Sequence, residues 1–462
     1  MSPHQASKQY FLVTTICIVY CILVFVAWQF IANPIVFIAV AIIPIGMIIV
    51  LQQPFLFVLL FVIFSFFRIH EAFPALLNLK IPLLLSAASL FALFWHVGFT
   101  RQIKLYWRDE FTLLAQFYLL VAIGVIFASN RPVAMLYFKT VYWKIMLMSF
   151  AIAWLSRSKK DFALASRLIT FFGLLVGLVA LYNQHNGIGL VEGSRVTISR
   201  DIGSLLGDPN DLALVLMFPV AFAISLVSTP KIDKKTKLLG LLAVLVLIGA
   251  ILATQSRGGL LGIMAIFAVF CYRRMKSKSL FFFLCISCSS ILFVAAGISD
   301  RSSGGSAESG VDESAMGRIY AWQAAWGMAL HNPLTGVGVN NFFYNYFYYS
   351  PHWDGLNHAV HSTWFGVLAE TGYLGFIVFV RCIFSLVRTA MRSLNSIEAN
   401  IENVAPDIHA TAQAVFAGLI GTIVSATFLT QGFTWPIYIL AAFVLAIAQY
   451  NDQHLKTKVE SK

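Results

Sequence analysis

Apolar stretches of about twenty residues recur along almost the whole chain, separated by short polar joints and one long polar excursion. Wound as helix, runs of that length match the hydrocarbon core of a bilayer. In the first half such spans are predicted near 11–31, 34–51, 54–67, 81–98, 110–128, 138–155 and 165–184. In the second half they fall near 209–228, 237–254, 258–275, 279–298, 362–386, 410–430 and 433–449. The pair 34–51 and 54–67 is short enough to be broken or re-entrant, so the expected count is 12–14. The expected fold is all-α: a single polytopic membrane helix bundle over residues 1–462, with one long outer loop, 299–361, containing short interfacial helices.

Composition supports that class. Hydrophobic residues make up 59% of the 462 and charged residues only 11%, whereas a soluble domain carries about 25% charged residues. The segment 11–31 is too long for a removable signal peptide and lacks a small-residue cleavage site. Placing the N-terminus in the cytoplasm puts the basic clusters 101–108, 157–167, 231–237 and 273–278 on one side, together with Lys456, Lys458 and Lys462. That arrangement follows the positive-inside rule. The net charge of +12 therefore reports topology, and no nucleic-acid partner is expected. All six cysteines lie in predicted spans; Cys285 and Cys288, with no second pair and no nearby histidine, read as apolar packing. No metal or cofactor is expected.

The chemistry is expected on the outer face. Four polar segments lie there: Asn130–Arg131, His185–Asp211 with Arg195, Arg200 and Asp208, the turn Thr254–Gly259, and the long loop. Lysine is nearly absent from them and arginine recurs. Arginine is weakly hydrated and forks onto two oxygens, which suits phosphate recognition at a membrane. Arg257 lies in a tight turn beside Gly258 and Gly259, at the start of a helix whose N-terminus favours an anion. It can serve a substrate phosphate or snorkel to lipid headgroups. Arg318 opens an interfacial helix expected over Ala315–Ala329, with an apolar stripe of Ile319, Trp322, Trp326 and Ala329. It can bind an anion or rest on Trp322 as a cation–π contact. His358 and His361 stand where the long loop re-enters the bilayer, and a neutral imidazole there can act as a general base; metal ligation and plain packing are the alternatives. Glu370, inside the following span, is costly there and is expected to face a partner such as an arginine, or a cavity.

Three local motifs, in order, resemble the O-antigen ligase and polymerase superfamily of bacterial membrane glycosyltransferases. They are Thr254-Gln-Ser-Arg-Gly-Gly259, Gly317-Arg-x3-Trp322 followed by Asn332-Pro-Leu-x-Gly-x-Gly338, and His361-Ser-x3-Gly-x2-Ala-Glu-x-Gly-x2-Gly375. The resemblance covers roughly residues 195–380. The family more often has His-Asn where this chain has His361-Ser362, which keeps His358 as the alternative base.

The resemblance implies transfer of a glycan from an undecaprenyl-pyrophosphate carrier to an acceptor hydroxyl on lipid A-core, a glycan repeat or a protein. The reaction would take place at the periplasmic face of the bacterial inner membrane and would be metal-independent, with membrane lipid as surroundings. It assigns the base to His361 and pyrophosphate binding to Arg257 and Arg318. Arg195 and Arg200 are further candidates for substrate binding, with His358, Trp322 and Glu370 in support. A transporter or flippase for lipid-linked glycans is the alternative; it predicts two pseudo-repeated halves with matching broken helices, and no such symmetry is visible in the sequence.

Overall fold

The computed structural model describes residues 34–72, 78–277, 279–283, 313–353 and 355–459, with residue 76 and isolated pieces of 15–29 and 286–290. The expected spans 11–31 and 279–298 are only partly covered by the described residues. Among the described residues every regular element is helical, and an isolated bridge between Val191 and Arg195 is the only strand-like pairing.

The described helices of eight residues or more are α1 (Pro34–Gln52), α2 (Pro54–Phe66), α3 (Ile81–Gly98), α4 (Asp109–Ile126), α5 (Trp143–Leu155), α6 (Lys159–His185) and α7 (Pro209–Ser228). They continue with α8 (Lys234–Thr254), α9 (Arg257–Arg274), α10 (Glu313–His331), α11 (Phe342–Tyr349), α12 (Thr363–Ala399), α13 (Pro406–Ala426) and α14 (Trp435–Val459). Seven of them, α3, α4, α6, α7, α8, α12 and α13, are long and apolar enough to cross a membrane. The second half of α1 and α2 add a bent pair, turned by 97°. That bend falls at Pro54, where a ring replaces the N–H a continuous helix would need, and where a broken pair was expected. Helix α9 carries arginines at both ends. Helix α5 is the continuation of Arg131–Tyr137 through a π turn at Phe138–Tyr142.

Helices α7 and α13 form the centre: the most apolar window of each is 83% buried, against 22% for the peripheral α3. Bare backbone lets α9 and α13 touch. A Cβ on Gly421 would lie 2.5 Å from Ile266 and 3.0 Å from the Gly262 carbonyl. Close approach through small residues is how helices pack where lipid removes the hydrophobic drive.

Charge divides the bundle into two ends. At one, Arg108 pairs with Asp452 at 2.7 Å, Arg167 with Asp407 at 2.9 Å and Arg273 with Glu398 at 2.6 Å. The basic clusters expected on one side of the membrane are therefore gathered at one end. The opposite end carries residues 68–71, 129–131, 185–211, the turn before α9, the described part of the long loop (313–353 and 355–361), and the turn between α13 and α14. Helix α11 and the residues after it expose Phe343, Tyr344, Phe347, Tyr348 and Trp353, an aromatic set of the kind that sits at headgroup level.

Candidate functional site

The loop between α10 and α11 is locked into a break in α12. At Gly372 the helix leaves helical geometry with φ +67 and ψ −170, and there Tyr373 N–H donates to the Pro333 carbonyl at 2.8 Å. Val337 N–H donates to Ala369 O at 2.8 Å and Gly338 N–H to Glu370 O at 3.2 Å, like a short β-ladder on the side of a helix. Side chains have no room: a Cβ at Gly336 would lie 2.4 Å from Ala369 O, and one at Gly372 2.5 Å from Pro333 O. Glu370 completes the joint. Its carboxylate accepts from Asn340 N–H at 2.8 Å and Phe342 N–H at 3.0 Å, so it holds the start of α11 rather than the arginine considered from the sequence.

That joint presents His361. Trp322 Nε1 donates to Val360 O at 3.1 Å, and its ring stacks on Phe365 at 5.2 Å with 12° between planes. Trp322 therefore braces the peptide next to His361 from one side and the first turn of α12 from the other. Its stripe is buried only in part. Ala329 is buried together with Ala321, Ala324, Ala325 and Met328, and Trp322 packs against them, whereas Ile319 is 38% and Trp326 49% exposed. Small alanines let α10 lie close against the glycine-broken α12.

His361 adopts φ +44, a left-handed conformation that costs a non-glycine residue roughly 1–2 kcal/mol. Strained residues of this kind gather where the surroundings over-determine a side chain's direction. Ser362 follows as the N-cap position of α12. Thr363 then fastens the site to the α13–α14 turn, donating to Leu429 O at 2.7 Å and accepting from Gln431 N–H at 2.9 Å. Gln431 in turn donates to Asp211 at 2.9 Å. The imidazole of His361 is held below the usual histidine pKa, first by burial, then by the Arg318 charge and by His358, with Asp208 opposing. It is therefore predominantly neutral at pH 7 and available to accept a proton.

Arg318, His358 and Asp208 are thus the charged or titratable groups that bear on His361. His358 packs its ring against Tyr346 at 5.3 Å. Arg257 is the first residue of α9, half-buried, on a turn capped by Ser256, whose Oγ accepts from Gly259 N–H at 3.1 Å and donates to Asn210 at 2.9 Å. Arg195 lies against the same turn. It is buried, and its guanidinium donates to Thr254 O and Asn210 Oδ1, each at 3.1 Å. Two of its N–H groups are thereby spent on holding the Arg257 turn against the start of α7. Arg200 is exposed and donates to Gly207 O at 3.1 Å, which tethers its own loop. The sequence reading missed Gln431 and assigned no role to Asp208 or Asp211. Asp208 had a legible signal, since an Asp followed by Pro marks a helix start, and its side chain caps Asn210 and Asp211 N–H at 2.7 and 3.2 Å. Gln431 had none.

Fold and site together define a multi-pass membrane protein with a histidine–arginine cluster at one end of its bundle. Residues 213–380 match the O-antigen ligase family, which bears out the resemblance carried by the three motifs. The match supports glycosyl transfer in the building of cell-envelope glycans. No curated protein matches the chain.

Proposed function

We propose that this protein transfers a glycan from an undecaprenyl-pyrophosphate carrier to an acceptor hydroxyl at the periplasmic face of the inner membrane, as an O-antigen ligase or polymerase does. The observation that carries the reading is His361, fixed at the mouth of α12 and kept neutral by burial and by Arg318. In the proposed step the acceptor oxygen attacks the sugar C1 and gives its proton to the His361 imidazole. The bond from C1 to the carrier phosphate oxygen breaks, and its electron pair leaves with undecaprenyl pyrophosphate. Arg318, with Arg257 on the neighbouring turn, stabilises the charge that develops on the leaving group. Direct displacement inverts the anomeric centre. The transporter reading is less favoured, because the arginines and histidines gather at one end rather than at mid-bundle.

The test is reconstitution of the purified protein with a lipid-linked glycan of known linkage and a lipid A-core acceptor. One undecaprenyl pyrophosphate released per glycan transferred, with inverted linkage, is expected. Retained linkage, or transport of the donor without transfer, contradicts the proposal.

A further inference from the structure

A second cationic site lies at the same end of the bundle. A cavity of ≈ 350 Å³ opens between the end of α2, the start of α3, the π turn before α5 and the start of α14. Its walls are mainly apolar, Phe61, Leu205 and Trp435 among them, yet Arg68, His70 and Lys144 also line it. Lys144 is the informative residue. It belongs to an otherwise apolar helix, is half-buried, and among the described residues forms no ion pair or hydrogen bond through its side chain. An ammonium among membrane helices is expensive and ordinarily faces a partner or a pathway. The π turn Phe138–Tyr142 just before it alters the helical register ahead of Lys144; such turns are frequent at functional sites.

The rest of the cavity is built rather than accidental. Arg68, itself in a left-handed conformation with φ +49, pairs with Glu71. Glu71 also accepts from Ser204 Oγ, and its carbonyl accepts from Ser199 Oγ at 2.9 Å. Those bonds fasten the segment before α7 over the cavity. Burial, the largest influence, lowers the pKa of His70, so at neutral pH it offers a hydrogen bond more than a charge. Lys144 is left as the cation without a carboxylate. At the rim Leu83 is 50% exposed, an apolar path from the cavity to the bilayer. The wall is also shared with the histidine site. Leu205 lines the cavity, and Asp208, whose charge bears on His361, is three residues further on, at most about 11 Å of chain.

We infer that this cavity is a binding site for the phosphate head of a membrane amphiphile, with Lys144 and Arg68 on the phosphate and the chain leaving past Leu83 into the bilayer. The inference goes beyond the transfer reading and does not need it, because binding is measured without turnover. One amphiphile bound here would hold its head beside the segment that also carries Asp208.

The experiment uses full-length protein in lipid nanodiscs. Binding of undecaprenyl phosphate and of phosphatidylglycerol is followed by native mass spectrometry, with phosphatidylcholine as the background lipid. Lys144→Gln should weaken binding on the order of tenfold, and Lys144→Arg should retain it. Leu205→Trp fills the cavity from another element of its lining and should give the same loss without touching a charge. It also serves if the Lys144 variant does not fold. Preference for undecaprenyl phosphate supports a prenyl-phosphate site, and equal loss for both lipids supports a site for phospholipid headgroups. Unchanged binding of both lipids in folded Lys144→Gln or Leu205→Trp overturns the inference. Since Arg318→Lys should leave this binding intact, a failure of the transfer reading stays distinguishable from a failure here.

Discussion

His361 shows how a single residue's environment sets its chemistry. Burial and the Arg318 charge both disfavour the imidazolium, while Asp208 pulls the other way. The folded pKa is therefore below the ordinary 6.5, and the neutral base persists as pH falls until that lowered value is reached. kcat/KM for transfer should stay flat from pH 8 down through 6.5 and decline only below it. Arg318→Gln should move this acid limb upward while also slowing transfer; a limb that stays put would show that Arg318 does not act on His361. Replacing Arg318 or Arg257 by Lys keeps the charge but loses the fork onto two oxygens. Transfer should then fall on the order of a hundredfold, with protein levels near normal. Wild-type rates in both lysine variants would reduce these arginines to headgroup anchors. Arginine, histidine and their motif order were legible in the sequence. The division of labour was not: Arg195 reads like Arg257 as a string, yet it is spent on Thr254 and Asn210 inside the fold.

At the scale of elements, the motif residues that look catalytic in sequence are mostly a joint. Asn332–Gly338 and the Ala-Glu-x-Gly run of α12 are far apart in sequence, and only their docking reveals why both need glycine. Gly336 and Gly372 each combine positive φ with a backbone oxygen within 2.5 Å of where a Cβ would be. Gly372→Ala should therefore destabilise the protein by about 3 kcal/mol, adding steric overlap to backbone strain. Gly187→Ala is the control. It shares a positive φ of +67 but has open space around it, so only strain of about 1 kcal/mol is expected. Thermal unfolding in detergent, read by intrinsic fluorescence, compares them; equal shifts would mean the joint contributes nothing. Helix α10 was legible as an element from its apolar stripe, but its buried face only in part. Hydrophobic spacing found Trp322 and Ala329, whereas Ala321, Ala324 and Ala325 are buried as well and Trp326 is left 49% exposed.

For the whole molecule, hydropathy foretold the helical bundle, and the charge pattern foretold which polar segments share an end. What it lacked were long-range fastenings without a local signal, such as Gln431 to Asp211 and the cavity around Lys144. Topology is open to direct measurement: cysteines introduced at Ser303 and Lys235 should label from opposite sides of the membrane. Labelling of both from one side would remove the basis for an outer active face. The account as a whole turns on whether the bundle's outer end performs chemistry through His361, rather than binding alone. The most direct measurement compares donor binding and glycan transfer in His361→Ala and His358→Ala, each purified and supplied with lipid-linked donor and acceptor. The account predicts that His361→Ala binds donor as the wild type does and transfers none, while His358→Ala, altered on a less rigid stretch of loop, retains part of its rate. Full transfer by His361→Ala, with loss only in His358→Ala, would contradict it.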